Sequence, residues 1–322
     1  MAEPTHADTP MPLRIAAIEQ VARSVRTFEL VQPDGTDLPP FTPGSHVTVQ
    51  TPSGLLRKYS LCNDPAERHR YLIAVKREAD SRGGSASLHE HARVGDVVPT
   101  SVPDNAFPLV DKARAYLFIA GGIGITPILS MIRSFGDLPP APWKLVYLSR
   151  EPDDTAFLQE LQRPELKRQV TVHHDLGDPQ RQFDLWPLLE KANSAHLYCC
   201  GPRGLMEAVR DMTGHWSSGN VHFESFVDGS AAQPDDQPFT VRFARSGLEA
   251  TVPVGESILS VARAHGCQVP SSCEAGTCGS CRTQLLEGEA DHRDMVLLPE
   301  ETGTQIMVCV SRAKSPRLVV DL

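Results

Sequence analysis

The sequence contains no run of basic residues. Its 31 Lys and Arg are outnumbered by 40 Asp and Glu, which gives a net charge of −9, and both signs are spread along the chain. Nucleic acids and anionic membranes bind basic stripes, so neither is expected as a main partner. The 322 residues and the hydrophobic content of 40% are sufficient for two or three domains with ordinary cores.

The amino-terminal segment lacks both a basic stretch and an apolar core. Residues 1–12 are polar and contain Glu3, Asp8 and three prolines, a composition that does not match a secretory signal peptide. We therefore expect a short disordered lead-in and a cytoplasmic protein. Eight cysteines in a cytoplasmic chain indicate metal or redox chemistry rather than structural disulfides.

Long apolar runs are absent with one exception, residues 115–132. This stretch carries no charge and is long enough to span a bilayer. Gly121, Gly122, Gly124 and Pro127 lie near its middle, however, and such residues break regular structure. A buried strand, a glycine loop and the start of a helix explain the pattern better than a transmembrane helix, which is the alternative.

The distribution of turns and apolar runs divides the chain into three parts. Residues 1–110 alternate short apolar runs with Pro and Gly turns, which predicts an antiparallel β-barrel. In residues 111–228 apolar strands alternate with helical segments, which predicts a parallel sheet of an α/β domain. Residues 229–236 are small and polar and are predicted to be a linker. Residues 237–322 have the length of a compact small domain.

The strongest motif is a cysteine loop in the last part. Cys273, Cys278 and Cys281 have the spacing C-x4-C-x2-C, and Cys309 follows 28 residues later. This is the plant-type [2Fe–2S] spacing, in which glycines let the backbone curl around the cluster and direct N–H groups at its sulfurs. A structural zinc site is the alternative, although zinc motifs usually pair two C-x2-C units or add histidines. Four cysteines outside the pattern are expected to be buried packing residues: Cys62, Cys199, Cys200 and Cys267.

Two glycine-containing turns follow predicted strands of the α/β part. The first comprises residues 121–127, where Thr126 is a predicted N-cap and Pro127 a first helical residue, and the second is Cys200-Gly201-Pro202. Free N–H groups at a helix start attract phosphate, and two turns at one sheet edge form a crevice for a ligand. Cys200 would then face a nicotinamide. A structural turn and a packing cysteine are the alternatives, since the G-x-G-x-x-G fingerprint is missing.

A third set of residues in the predicted barrel is suited to a flavin. Arg57 and a glycine- and serine-containing loop can hold a phosphate monoester. Tyr59 offers a flat surface for the ring, and Ser60 offers a hydroxyl to its N5 edge. The loop comprises Arg82, Gly83, Gly84 and Ser85. From the residues alone, solvated arginines and a core tyrosine explain the pattern equally well.

All these motifs in this order resemble the phthalate dioxygenase reductase family, from residue 13 to residue 322. The resemblance implies a flavin barrel, an NADH-binding α/β domain and an α+β, β-grasp-like ferredoxin domain, in that order. It implies FMN rather than FAD, at positions on the barrel strands and on the loop. These are Arg57, Lys58, Tyr59, Ser60, Ala74, Val75, Lys76, Arg82, Gly83, Gly84 and Ser85. It also places NADH at Gly121, Gly122, Gly124, Thr126, Pro127, Cys200, Gly201 and Pro202, and an aromatic residue, Phe226, near the flavin.

The choice between NADH and NADPH depends on the region after the second α/β strand. Arg150 could meet the 2′-phosphate of NADPH, whereas Glu151 and Asp175 favour the free ribose of NADH. NADH is therefore expected.

The resemblance implies electron transfer from NADH through FMN and the cluster to a Rieske-type terminal oxygenase of an aromatic ring or an O-demethylase. No side chain is required as an acid, base or nucleophile, because the cofactors carry the chemistry. A reductase for a diiron monooxygenase or a P450, and a redox-sensing cluster protein without enzymatic activity, are the alternatives. Nothing in the sequence requires more than a monomer.

Overall fold

The computed structural model describes residues 10–78, 83–226, 233 and 235–322. The chain divides into two compact units, Met1–His222 and Phe223–Leu322. Within the described residues, no helix is long and apolar enough to cross a membrane. The transmembrane alternative for residues 115–132 is therefore wrong, because this stretch folds as a strand, a tight turn and a nine-residue helix.

The first unit begins with a six-stranded antiparallel sheet. Its elements are β1 Met11–Ala22, β2 Val25–Val31, β3 His46–Gln50, β4 Leu56–Ser60, β5 Tyr71–Lys76, α1 Gly84–His91 and β6 Val97–Thr100. The strand order is β4-β3-β6-β1-β2-β5. An antiparallel bridge between Leu61 and Ile73, together with the bond from Cys62 N–H to the Leu72 carbonyl at 2.9 Å, joins the two edge strands. The sheet therefore closes, which confirms the predicted barrel.

The second part of this unit is an α/β sheet. Its elements are β7 Tyr116–Gly121, α2 Ile125–Arg133, β8 Trp143–Ser149, α3 Leu158–Leu161, β9 Val170–His174, α4 Trp186–Leu189, β10 His196–Cys200, α5 Arg203–Met212 and β11 Val221–Glu224. The strand order is β11-β10-β7-β8-β9, and β7 pairs in parallel with both β8 and β10. This confirms the predicted parallel sheet. All six residues of β7 are buried, as expected for a central strand covered on both faces.

The order of the strands in this sheet explains why a ligand is expected beyond the carboxyl end of β7. The chain leaves β7 for β8 and β9 on one side and returns to β10 on the other. The crevice at such a reversal, beyond the carboxyl ends of the strands, is where open α/β sheets bind ligands. An aromatic cluster of Tyr116, Phe118, Phe135, Trp143 and Tyr198, with ring centroids 5.4–6.4 Å apart, packs beneath it.

The second unit is an α+β domain. Its elements are β12 Phe239–Phe243, β13 Glu249–Val252, α6 Ile258–Ala264, β14 Arg282–Glu287, β15 Ala290–Asp291, β16 Gln305–Met307, β17 Arg312–Ala313 and β18 Arg317–Val320. The main sheet has the order β13-β12-β18-β14-β16, with β12 and β18 parallel. Helix α6 contributes Ile258, Leu259, Val261 and Ala262 to the core of this unit. The α+β, β-grasp-like expectation is confirmed.

Candidate functional site

The flavin residues of strand β4 lie beside the barrel seam. The bridge between Leu61 and Ile73 makes the end of β4 a neighbour of β5, so the segments 57–60 and 74–76 lie on adjacent strands. Sequence analysis did not predict this adjacency, because a long connection, residues 61–70, separates the two strands.

Arg57 and the start of helix α1 form a cradle for an anion. A Cβ added to Gly84 would lie 2.9 Å from both Cγ and Nε of Arg57, so only glycine allows the arginine side chain to lie across the first turn of the helix. Gly83 precedes it with φ of 94° and has no side chain with which to cap the helix. The side chain of Arg57 therefore packs against the amino-terminal turn of helix α1, and an arginine at a helix start fits a phosphate monoester.

The other flavin residues are in the expected region but differ in exposure. Ser60, Ala74 and Val75 are buried, and Lys58 is exposed. Lys76 Nζ lies 2.8 Å from Glu78 Oε1. The hydroxyl of Ser85 accepts a bond from the Glu78 N–H at 3.3 Å. Arg82 lies outside the described residues.

Two titratable side chains next to Ser60, Tyr59 and His46, have pKa values shifted toward their neutral forms. Burial raises the pKa of Tyr59 to about 12, against the opposing charge of Arg57. His46, which lies directly opposite Ser60 on β3, has its pKa lowered to about 4 by burial and by the charge of Lys58. A neutral phenol and a neutral imidazole fit a site in which residues bind and orient a ring without exchanging protons with it.

The two predicted turns of the α/β sheet meet at one edge. Ala120 of β7 pairs with Cys200 of β10, so both turns leave the carboxyl ends of adjacent strands, as predicted. Details of the first turn differ from the prediction. Helix α2 begins at Ile125 with Gly124 as its N-cap, and Thr126 lies within the first turn, where its hydroxyl donates to the Ile123 carbonyl at 3.0 Å. The predicted N-cap at Thr126 and helix start at Pro127 are therefore wrong, because the glycine turn itself is helical over Gly122–Gly124.

Most glycines of these turns contact each other. A Cβ on Gly124 would lie 2.2 Å from the Cys200 carbonyl oxygen, and a Cβ on Gly201 would lie 2.9 Å from Cα of Gly121. At Gly122, with φ of +53°, no described atom lies within 4 Å of the added Cβ. Gly121, Gly124 and Gly201 therefore allow the two turns to pack together, and the expectation that the glycines open the backbone to a ligand stays a prediction.

Cys200 and Pro202 of the second turn pack against the first turn. The Cys200 side chain is fully buried among the core residues of the α/β sheet, which favours the packing interpretation in this structure, and its contact with a nicotinamide stays a prediction. Pro202 Cδ would lie 2.6 Å from a Cβ on Gly121. Phe226, predicted to lie near the flavin, belongs to the second unit and has 45% of its surface exposed.

The residues predicted to discriminate NADH from NADPH follow the carboxyl ends of the neighbouring strands β8 and β9. Leu176 N–H donates to the Arg150 carbonyl at 2.9 Å, which places exposed Arg150 beside Asp175 at the ends of β8 and β9. Glu151 Oε2 is instead bound by Arg23 Nη2 of the barrel at 2.8 Å. Glu151 is thus already paired, and discrimination at the ribose by Arg150 and Asp175 stays a prediction.

The four motif cysteines of the second unit associate as two pairs. Cys273 and Cys278 are hydrogen-bonded neighbours, as are Cys281 and Cys309. Bonds from Cys273 and, more weakly, from Ser280 lower the pKa of Cys278 to about 4, and a bond from Cys309 lowers the pKa of Cys281. The same bonds raise the pKa of Cys273 and of Cys309, so within each pair one sulfur is favoured as the thiolate, the form that ligates iron, and its partner as the thiol.

The cysteine loop is shaped to present amide groups to sulfur. The N–H groups of Ala275 and Thr277 both lie 3.4 Å from Cys273 Sγ, as the sequence predicted. Two cysteine pairs fit a two-iron cluster with two thiolates on each iron.

Sequence analysis missed the segment that supports this loop. Met295 N–H donates to the Gly276 carbonyl at 2.9 Å, and the Asp294 carboxylate accepts from the N–H groups of Val296 and Leu297 at 3.0 and 2.8 Å. A Cβ on Gly276 would lie 3.1 Å from Cα of Asp294. No local signal marks Asp294, because its role depends on a contact 18 residues away along the chain.

Comparison with known protein families agrees with this arrangement. The family described as oxidoreductase NAD-binding domain matches residues 118–211. The family described as 2Fe-2S iron-sulfur cluster binding domain matches residues 241–314. The matches cover the α/β sheet and the cysteine loop, respectively.

Individual relatives match over nearly the whole length. The chain is 54% identical to the phthalate dioxygenase reductase of Burkholderia cepacia, over 96% of this chain and 97% of the relative. A solved phthalate dioxygenase reductase, described as a modular structure for electron transfer from pyridine nucleotides to [2Fe–2S], covers 98% of both chains at 52% identity, with a TM-score of 0.72. An intact type IV self-sufficient cytochrome P450 monooxygenase matches 100% of this chain and 43% of its own at 31% identity, with a TM-score of 0.70. The identity and coverage of the first relative show that this chain, an oxidoreductase with NAD-binding and 2Fe–2S domains, belongs to the phthalate dioxygenase reductase family.

Proposed function

We propose that this chain is the reductase of a two-component oxygenase system, which carries electrons from NADH through FMN and a [2Fe–2S] cluster to a Rieske-type terminal oxygenase. The observation that carries the proposal is the geometry of the cysteine loop, in which the Cys273 N–H lies 3.5 Å from Cys278 Sγ and the N–H groups of Ala275 and Thr277 lie 3.4 Å from Cys273 Sγ. The same chain carries a phosphate cradle and a nucleotide-type sheet edge. FMN, when bound, supplies the conversion of a two-electron hydride into single electrons.

The residues of the chain bind and orient the cofactors. Arg57 and the first turn of α1 hold the phosphate of FMN, which fits a mononucleotide. The hydroxyl of Ser60 is assigned to the N5 edge of the ring. The first turn of α2 holds the NADH phosphates, and Asp175 accepts from the ribose hydroxyls. The amides of Ala275 and Thr277 donate to cluster sulfur and so tune its reduction potential.

We infer the identity of the electron acceptor from the relatives rather than from residues of this chain. The first two curated relatives are the reductases of phthalate dioxygenase and of phthalate 4,5-dioxygenase, which supports an oxygenase of aromatic-acid degradation. The match to a P450 monooxygenase keeps a P450 as the second candidate. None of the eight cysteines forms a disulfide in the structure, which supports a cytoplasmic location, and we include a monomeric state in the proposal.

An anaerobic titration of the purified chain with NADH tests this function. We expect the flavin released from the protein to be FMN. We also expect NADH to bleach the flavin absorbance at about 450 nm together with the absorbance bands of the cluster. NADPH should reduce the chain more slowly, and electrons should pass to a Rieske oxygenase in preference to a P450. A colourless zinc protein, or a cluster spectrum without flavin, would refute the proposal.

A further inference from the structure

Helix α2 is attached to the flavin strand at its carboxyl-terminal half. The Ser130 hydroxyl donates to the Asn63 carbonyl at 2.9 Å, and Arg133 Nη1 donates to the Cys62 carbonyl at 2.7 Å. Ser130, Cys62 and Asn63 are all at most 1% exposed. The contact therefore joins the buried segment directly after β4, two and three residues beyond Ser60, to the helix that follows the nucleotide turn.

The arginine in this contact is held from several sides. Its Nε donates to Glu160 Oε1 at 3.0 Å, and a second bond joins Nη2 to the other carboxylate oxygen. The guanidinium also lies over the ring of Phe157, 5.4 Å from its centroid. The Phe157 backbone has φ of 60°, a conformation that costs an aromatic residue free energy and persists where surrounding contacts enforce it.

These bonds set the position of one binding site relative to the other. Helix α2 begins directly after Gly124, and Ser130 and Arg133 lie about 9 and 13 Å further along its axis at ~1.5 Å per residue. A nine-residue helix is rigid over this length. A shift of its far end relative to Cys62 and Asn63 would thus move the nucleotide turn relative to Ser60.

We propose that Arg133 and Ser130 are positioning residues, which fasten helix α2 to the segment directly after β4 and so fix the distance between the nicotinamide and the flavin ring. This inference rests on the proposed function. We call the contact of Arg133, Ser130 and Glu160 with Cys62 and Asn63 the α2 latch. Neither its arginine nor its serine touches a cofactor site directly, and their effect is exerted through the backbone.

The test compares three variants of the full chain, loaded with FMN and cluster, in single-turnover reduction by NADH. Arg133→Met removes every donor and keeps the length of the side chain. Arg133→Lys retains one donor and should restore part of the rate. Arg68→Met is the matched control, because Arg68 also donates to a backbone carbonyl, that of Leu38 at 2.7 Å, but only within the barrel.

We expect Arg133→Met to slow flavin reduction at saturating NADH by about 10- to 100-fold, since misplacement by about 1 Å has such an effect. FMN content and the NADH concentration at half-maximal rate should stay unchanged. Amide hydrogen exchange of the cofactor-free chain gives a readout independent of turnover, and protection at residues 60–63 and 130–133 should fall in this variant alone. A wild-type rate of flavin reduction in Arg133→Met, or an equal loss of this rate in Arg68→Met, would overturn the proposed role of the α2 latch.

Failure of the α2 latch and failure of the proposed function give different results. A wild-type chain that NADH reduces at the same rate as the Arg133→Met variant refutes the latch alone. A wild-type chain that NADH does not reduce refutes the proposed function, and the exchange data then decide whether the latch joins the two segments.

Discussion

Single glycines decide whether the two turns of the nucleotide edge can meet. Gly124 has the Cys200 carbonyl where a Cβ would be, at 2.2 Å, whereas no described atom lies near the corresponding position on Gly122. Both are glycines of one short motif, and the sequence does not distinguish them. The distinction arises because Gly124 packs against Cys200, at the end of a strand 76 residues later in the chain, whereas Gly122 has no such neighbour among the described residues.

Alanine substitutions at these two positions should therefore differ. Gly124→Ala must push β10 away from α2, and we expect a loss of about 1–3 kcal/mol of unfolding free energy from overpacking together with weakened NADH binding. Gly122→Ala should cost about 1 kcal/mol, because only its left-handed backbone is unfavourable for alanine. Denaturant unfolding and NADH titration measure both effects. Equal losses in the two variants would contradict the packing role of Gly124.

At the scale of elements, the end of the predicted linker is fastened to the second unit. Asp236 Oδ1 lies 2.5 Å from Arg293 Nη2, and Asp236 Oδ2 lies 3.7 Å from Arg312 Nε, with all three side chains at most 9% exposed. Arg312 also donates to the Gln237 carbonyl at 3.0 Å and lies over the ring of Phe239. The boundary of the linker at residue 236 stays a prediction, but its last residue is an anchor rather than free chain.

Asp236→Asn should destabilise the second unit by roughly 1–3 kcal/mol at pH 7, because it removes the charged partner that buried Arg293 and Arg312 share and leaves Asp291, 2.6 Å from Arg293 Nη2, as the counter-charge of Arg293. Arg293 holds the pKa of Asp236 below its ordinary value of 3.8. The stabilisation is therefore complete above the unfolded-state pKa and is lost as the pH falls through the lower folded-state pKa.

Unfolding of both proteins across acidic pH measures this effect. The difference between wild type and Asp236→Asn should be constant above about pH 5 and shrink below about pH 4. Asp321→Asn, which breaks an exposed pair with Arg245 at the surface, is the control and should change stability by less than about 1 kcal/mol. A difference that does not depend on pH would show that the Asp236 charge contributes little.

At the scale of the whole molecule, each unit has a hydrophobic core of its own. The core of the second unit includes Val241, Ile258, Ile306 and Leu318, all fully buried. A unit with its own core is expected to fold without the rest of the chain. The cluster should therefore depend on the second unit alone, and the flavin and nucleotide sites on the first.

A protease site inserted between residues 228 and 229 of the full chain tests this independence. After cleavage, we expect the carboxyl-terminal fragment to keep the cluster spectrum and the amino-terminal fragment to keep NADH-dependent flavin reduction. Electron transfer between them should become bimolecular and require about millimolar concentrations to match the intact chain. Loss of the cluster on cleavage would contradict the independence of the second unit.

The sequence by itself determined the parts that depend on local spacing and on chain order. The C-x4-C-x2-C loop, the fully apolar β7, the strand-to-turn motifs and the three-part order were all readable, because each is contained in a short segment and obeys a local geometric rule. The family resemblance rested on the same segments, and the fold class followed from it.

Only the tertiary structure decided which distant residues meet. The barrel seam at Leu61 and Ile73, the pairing of Cys281 with Cys309, the contact of Gly124 with Cys200 and the α2 latch all join residues that are between 12 and 76 positions apart. No local pattern encodes such contacts, because they depend on how whole elements close and pack. The helix start at Ile125 was missed for the same reason, since packing of the glycine turn against β10, and not capping by Thr126, fixes where α2 begins.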